Sequence, residues 1–204
     1  NGSGNNYVYV AIRRPDGYVG KPADAATDVF TMDTGGGLTT IPNYDSSFPV
    51  DMAIKRTPAS SGHWSLSTRL TAGKVIKTNL SNAEGTEASL TFDSNVGWDQ
   101  TGDNFAYQAW MWKRHTGFDV VRFNGTGSAK NINHTMNKVP ETMWVRRRDG
   151  ARNWTVYHKD MHQGYGSGSN SNFYMYLNET DARVAGDNNR WDNTAPTSSV
   201  FTVG

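Results

Sequence analysis

Phe48-Pro49-Val50-Asp51-Met52-Ala53-Ile54-Lys55-Arg56 and Val139-Pro140-Glu141-Thr142-Met143-Trp144-Val145-Arg146-Arg147 are two versions of one stretch. Each has a proline, an alternating apolar run and a basic pair, then a turn and a tryptophan, Trp64 or Trp154. Alternation with period two describes a strand with one buried face, and the turn and Trp-led run describe the second arm of a hairpin. Working outward, Asp28 and Asp119, Met32 and Phe123, Ile41 and Ile132, Pro49 and Pro140, Met52 and Met143, and Ile54 and Val145 all stand 91 apart. Trp64 and Trp154 stand 90 apart, which assigns one lost residue to the hairpin turn. Thr78-Asn79-Leu80-Ser81-Asn82-Ala83-Glu84 matches Leu177-Asn178-Glu179-Thr180-Asp181-Ala182-Arg183 at a larger offset, with the extra residues in the Gly/Ser/Asn-rich loop 164–172. One spacing over so many apolar positions marks a duplicated unit.

The rest of the chain agrees with an all-β reading. Tyr7-Val8-Tyr9-Val10-Ala11-Ile12-Arg13, Phe30-Thr31-Met32, Leu38-Thr39-Thr40-Ile41, Val96-Gly97-Trp98 and Phe105 through Trp112 read as strands, and no apolar period of 3.6 is sustained. Length allows one large or two small β domains, and a unit of about 90 residues can bury a usable core. The net charge of +1 argues against a nucleic-acid binder, and the absence of cysteine removes disulfides and thiolate chemistry. No apolar run approaches the roughly 18 residues of a membrane span. The opening Asn1-Gly2-Ser3-Gly4-Asn5-Asn6 is polar, reads as a loop cut from something longer, and has no signal-peptide pattern.

A third echo bears on domain organisation. Asn6-Tyr7-Val8-Tyr9-Val10-Ala11-Ile12-Arg13-Arg14 resembles Asn104-Phe105-Ala106-Tyr107-Gln108-Ala109-Trp110-Met111-Trp112, the closing strand of the first unit, and Val200-Phe201-Thr202-Val203-Gly204 ends before any such strand. Two readings follow. Either the chain is a piece of a longer array, or the strand at 7–13 completes a sheet of the other unit or of a neighbouring subunit. An unfilled slot would leave an exposed edge. The expected organisation is a closing strand and connector at 1–27, one unit at 28–116 and another at 117–204.

Three stretches carry a resemblance: Phe118-Asp119-Val120-Val121-Arg122-Phe123-Asn124-Gly125-Thr126-Gly127-Ser128-Ala129; the second hairpin with Asn153-Trp154-Thr155-Val156-Tyr157-His158; and Asn193-Thr194-Ala195-Pro196-Thr197-Ser198-Ser199-Val200-Phe201-Thr202-Val203-Gly204. Together they resemble the repeated concanavalin-like β-sandwich domain of tailed-phage virion structural and tail-fibre proteins, of the marine and cyanophage type. The resemblance implies jelly-roll or concanavalin-like sandwiches in series and a virion location. It also implies other virion proteins as partners and a homo-oligomer. It transfers no catalytic residue.

The candidate chemistry is weighed residue by residue. The basic runs Arg13-Arg14, Lys55-Arg56 and Arg146-Arg147-Arg148 could bind acidic glycans, but near-neutral overall charge favours solvated hairpin ends. Trp64 and Trp154, recurring at equivalent positions, read as core. Trp144, taken as the replacement for Ala53, points away from Met143 and Val145. Trp110 and Trp112 share one strand face opposite Ala109 and Met111, and could form a sugar-stacking platform or a buried contact. Trp191, with Arg190 beside it in the polar loop Asp187-Asn188-Asn189-Arg190-Trp191-Asp192-Asn193, is the leading exposed-aromatic candidate. His158 and His162 lack a third metal ligand at a suitable spacing, and the Asp/Asn loop at 187–193 lacks a calcium register. Glu84, Glu87, Glu141 and Glu179 read as turn or strand-edge residues rather than a glycosidase pair, and no Gly-x-Ser-x-Gly elbow occurs.

The expectation is an all-β chain of two tandem antiparallel β-sandwich units offset by one strand. The leading function is a non-enzymatic virion surface or tail-fibre protein that touches host-surface polysaccharide. No cofactor, metal, nucleic acid or membrane insertion is expected, and Trp191, Trp110, Trp112 and Arg190 are the ligand-binding candidates. The alternatives are a purely architectural decoration or spacer protein and a polysaccharide-degrading enzyme.

Overall fold

The computed structural model describes residues 25–37, 42–71, 73–161, 172–186 and 189–204, together with the backbone of 6–12. The expected strand at 38–41, the loop at 164–171 and His162 lie outside the described residues. The strands are β1 Asn6–Ile12, β2 Phe30–Thr34, β3 Tyr44–Asp45, β4 Met52–Arg56, β5 Ser65–Thr68, β6 Lys74–Lys77, β7 Gly85–Thr86 and β8 Leu90–Thr91. They continue with β9 Gly97–Gln100, β10 Gln108–Trp112, β11 Phe118–Asn124, β12 Lys130–Asn133, β13 Thr142–Arg147, β14 Thr155–His158, β15 Met175–Tyr176 and β16 Val200–Val203. Helix among the described residues is limited to short 3₁₀ turns, Ala26–Asp28 and Arg69–Thr71 among them. The protein is all-β, with antiparallel sheets throughout the described pairings.

The chain divides into two compact units, Ala23–Arg114 (the first unit) and Asn1–Pro22 with His115–Gly204 (the second unit). The first holds a sheet of order β2-β10-β4-β5-β6-β7 and a smaller one of order β3-β9-β8. The second holds β11-β1-β13-β14-β15 and the pair β12-β16. The order is the same once the extra edge strands β7 and β8 are set aside, and β1 stands where β10 stands. Tyr9 is in register with Val121 of β11 on one side and Val145 of β13 on the other. The N-terminal strand therefore completes the second unit's sheet, and the first unit is inserted in the chain between that strand and the rest.

The registers correct the constant offset of 91. Ile54 faces Leu66, and Trp144 faces Val156, so equivalent residues are 90 apart on both arms of the hairpin. Arg69 N–H donates to Asp51 O at 2.8 Å, and Lys159 N–H to Glu141 O at 2.9 Å, again 90 apart. Upstream, Tyr44 faces Trp98 and Ile132 faces Phe201, an offset of 88 for β3 and β12. The second unit thus gains two residues between β12 and β13, and none is lost in the hairpin turn. A one-residue slip exchanges the two faces of a strand. Met143 is accordingly the counterpart of Ala53, not Met52, and Trp144 is the counterpart of Ile54. Ala53 and Met143 are both buried in their units' cores, which is what a shared face requires. Matching residue types (proline with proline, methionine with methionine) pointed one position away from the match in burial.

Each core forms between a unit's two sheets. In the first, Ala53, Ala109 and Met111 of the large sheet meet Tyr44, Leu90 and Trp98 of the small one. Trp98 lies between Tyr44 and Phe92, with ring centroids at 5.0 and 5.6 Å. In the second, Phe123, Met143, Val145 and Tyr157 meet Ile132, Phe201 and Val203. Trp144 packs on the opposite face, against the cluster of Val156, Met161 and Phe173. A polar latch recurs as well. Trp64 N–H donates to Asn79 Oδ1 at 3.1 Å, and Trp154 N–H to Asn178 Oδ1 at 2.7 Å. The same Asn side chains bond the residue before each tryptophan, His63 at 3.1 Å and Asn153 at 2.9 Å.

Candidate functional site

The first unit carries a polar pocket of about 360 Å³. Lys55 follows Ala53 on the core-facing side of β4, Ser65 is its partner on β5, and Lys77 is the partner of Ser65 on β6. One row of cross-strand neighbours thus carries two cations across three strands, where the apolar core gives out. The turn after β9 closes over this row. Asn43 holds it, donating from its side-chain amide to Gln100 O at 3.1 Å and Asp103 O at 3.0 Å. Asp103 Oδ2 accepts from Lys55 Nζ at 2.5 Å and from the Tyr44 hydroxyl at 2.6 Å. The Lys55 ammonium also stands 4.9 Å from the centre of the Tyr107 ring. Lys77 Nζ donates to Ser65 Oγ at 2.6 Å. Arg56, His63, Glu87 and Gln100 complete the lining that matters chemically.

Burial governs the electrostatics. It lowers the pKa of Lys55 below the ordinary lysine value, while the bond to Asp103 acts in the opposite sense. Burial likewise lowers Lys77, with Glu87 opposing. Tyr44 is raised, by burial first and then by its hydrogen bond to Asp103. Lys55 and Asp103 are 7% and 4% exposed, so their pairing is a buried ion pair, a feature that contributes little net stability over an apolar pair of the same volume. The second unit makes that comparison internally. Val145 stands at the position of Lys55, Thr155 at that of Ser65 and Tyr176 at that of Lys77. The scaffold therefore folds without the charged row. With Asp103 tied to two donors, the pocket offers a binding surface of fixed charges and hydroxyls rather than a nucleophile with its base.

The residues singled out from sequence fall in different places. Trp191 is not exposed. It is 2% accessible, donates its indole N–H to Phe173 O at 3.1 Å and meets Tyr157 edge-on at 5.8 Å. Its polar neighbours disguised a core residue that occupies the counterpart position of Leu90. Arg190 is half-buried over the Tyr174 ring and donates to the Tyr176 hydroxyl at 3.2 Å. Trp110 and Trp112 do lie opposite the buried Ala109 and Met111. Both are half-buried; Trp110 is stacked on Trp64 at 4.5 Å and Trp112 tilted against Phe30 at 5.1 Å. Trp154 is fully buried, but Trp64 is only half-buried, with the Arg56 guanidinium 5.0 Å from its ring centre. The basic runs are not uniformly solvated: Lys55, Arg146 and Arg148 are buried. Burial, with Arg152 nearby, pulls the Arg146 guanidinium down to about 10. Among the described residues no three His, Cys, Asp or Glu side chains gather as metal ligands, and no helix is long and apolar enough to cross a membrane.

Sequence reasoning missed Lys77, Asp103 and Tyr44, and set Lys55 aside as part of a solvated hairpin end, whereas Lys55 is buried against Asp103. The available signal was the position of Lys55 two residues after Ala53, on the core-facing side of a strand. A family model described as a domain of unknown function, DUF7483, matches residues 53–204. The chain belongs to the DUF7483 family. Its match begins within β4 and runs through both the pocket and the whole of 115–204. No curated protein and no solved structure matches the chain.

Proposed function

We propose that the protein is a non-enzymatic structural component of a tailed-phage virion surface, of the tail-fibre type, that contributes to recognition of host-surface glycans. The observation that carries this reading is a duplicated scaffold with a polar pocket in one copy whose charged row the other copy replaces with Val145, Thr155 and Tyr176. Duplication supplies architecture, and a charged row the scaffold does not need is better explained by a ligand. The pocket's size falls within the range of small-ligand sites, about 300–1,000 Å³. Its hydroxyls, amide, imidazole and aromatic edge suit a polyhydroxylated ligand. The resemblance to concanavalin-like virion domains supports the jelly-roll description of each unit and the virion setting. In that setting other virion proteins and a homo-oligomer are the partners, and repeated weak sites add through effective concentration.

A purely architectural reading is favoured for the second unit alone, where apolar and aromatic groups take the place of the charged row. Glu87 and Asp103 share the pocket, but both donors on Asp103 Oδ2 commit that carboxylate to holding the turn, which disfavours a hydrolytic pair. The test is binding of the fluorescently labelled full chain to bacterial cells and to their extracted surface polysaccharides. Saturable binding to at least one polysaccharide is expected. No binding to any at tens of micromolar, with the protein folded, leaves the architectural role.

A further inference from the structure

In the first unit the latch before β5 ends on a residue of the pocket. Trp64 N–H only donates, so the Asn79 atom that accepts it at 3.1 Å is Oδ1, and the other end of that amide is its NH₂ group. The NH₂ group lies 3.1 Å from His63 Nδ1, and it too only donates. Nδ1 is therefore an acceptor, the ring is neutral, and its proton sits on Nε2. His63 lines the polar pocket, and Nε2 has no partner among the described residues. The charged groups around it are Arg56 over the Trp64 ring, and Lys55, Lys77, Glu87 and Asp103 in the pocket lining. The second unit shows what the latch itself requires. There Asn178 Oδ1 accepts from Trp154 N–H at 2.7 Å, and its amide nitrogen donates to Asn153 Oδ1 at 2.9 Å. An amide oxygen thus serves the latch as an imidazole nitrogen does. The ring at position 63 adds a second nitrogen that the latch does not use, and adds it in the unit that carries the charged row.

We propose that His63 is a ligand-binding residue of this pocket, its Nε2–H donating to a hydroxyl or ring oxygen of the bound saccharide, and that protonation of the ring releases that saccharide. The proposal rests on the glycan-binding reading and adds to it a specificity residue and a response to pH. Protonation places an N–H on Nδ1, facing the Asn79 NH₂ group, and two donors form no hydrogen bond. Either the ring swings off the latch or the amide turns over, and turning over takes the acceptor away from Trp64 N–H. In both cases Nε2 loses its fixed position. Imidazole is the side chain that changes charge between about pH 5 and 8. The neutral ring is the binding form, so affinity is present above that titration and lost as pH falls through it. By linkage, binding on the acid side drives the proton off the ring.

Two measurements on the full chain test it. The first needs no ligand: a long-range proton–nitrogen correlation spectrum reads the His63 tautomer. The Nε2–H tautomer is expected near neutral pH, and an Nδ1–H tautomer overturns the proposal. The second is titration calorimetry with the extracted bacterial surface polysaccharide that the chain binds. Affinity should fall at least about fivefold between about pH 7.5 and 5.5. In buffers of different ionisation heat, binding on the acid side should release protons. His63→Asn copies the second unit's latch, keeps an acceptor for Asn79 and does not titrate. It should keep the melting temperature, bind about threefold to tenfold more weakly at about pH 7.5, and hold that affinity at acid pH. His63→Gln serves in its place if His63→Asn lowers the melting temperature markedly. Parallel pH profiles for variant and unaltered chain, full affinity in the variant, or tighter binding by the unaltered chain at acid pH each overturn the role of His63 and leave glycan recognition standing. Failure with every polysaccharide overturns both.

Discussion

His134 is tied at both ring nitrogens: Met136 N–H donates to Nδ1 at 3.4 Å, and Nε2 faces Thr197 O at 3.2 Å. A carbonyl only accepts, so the proton sits on Nε2 and the ring is held neutral. Burial lowers its pKa from 6.5. The unfolded chain therefore takes up the proton first, and the stability tied to the neutral ring is present above that value and lost as pH falls below it. In the first unit Ser46 does the same work, its hydroxyl accepting from Phe48 N–H at 3.3 Å. His134→Ser should keep the acceptor and flatten the fall in melting temperature between about pH 7.5 and 5 relative to the unaltered chain. Identical slopes would remove His134 from the account. Trp191, filling the second core, gives a second prediction. Trp191→Ala should cost about 3–5 kcal/mol by denaturant titration, the loss of a fully buried aromatic; an exposed ligand platform would cost almost nothing. The sequence disguised this residue because burial depends on what closes over a loop, and polar neighbours of Trp191 say nothing about Phe173 and Tyr157.

At the scale of the element, the strands were legible from alternation and the hairpins from their turns. The sequence echo between 6–14 and 104–112 has a spatial counterpart: β1 pairs with β11 and β13 as β10 pairs with β2 and β4. Register was not legible. Met52 and Met143 look equivalent by type, yet cross-strand pairing makes Ala53 the counterpart of Met143, because the buried face and not the residue name sets the match. Nor was the pocket legible, since Lys55-Arg56 at a strand end reads as a solvated tip until the partner carboxylate, 48 residues further on, is brought over it. The same pair supplies a test of cause. Lys55→Met alone leaves Asp103 buried without its ammonium and should cost about 3–5 kcal/mol, whereas Lys55→Met with Asp103→Leu should recover most of that loss. A double variant as unstable as the single one would mean that the pair itself holds the fold. Asn79→Ala and Asn178→Ala, each removing one latch, should each cost about 1–3 kcal/mol by the same titration.

For the whole molecule, the chain order and the spatial order differ by one strand. Ile12 is in register with Phe118, so the ends of β1 and β11 that flank the inserted unit are neighbours. Trp112 is likewise in register with Phe30, so the first and last strands of the inserted unit meet. Removing residues 23–114 should leave an all-β second unit that unfolds cooperatively. Removing residues 1–22 instead should open the sheet between β11 and β13, lower the melting temperature and promote association through the exposed edges; circular dichroism and light scattering distinguish the two. The central claim is that one scaffold occurs twice and that the charged row of the first copy, replaced by Val145, Thr155 and Tyr176 in the second, marks the proposed site. Amide hydrogen exchange of the full chain, with and without a saturating bacterial surface polysaccharide, tests it most directly. The account predicts added protection at 55–65, 74–77 and 100–107 and none across 115–204. Protection at 142–158 and 175–176, or equal protection in both units, would contradict it.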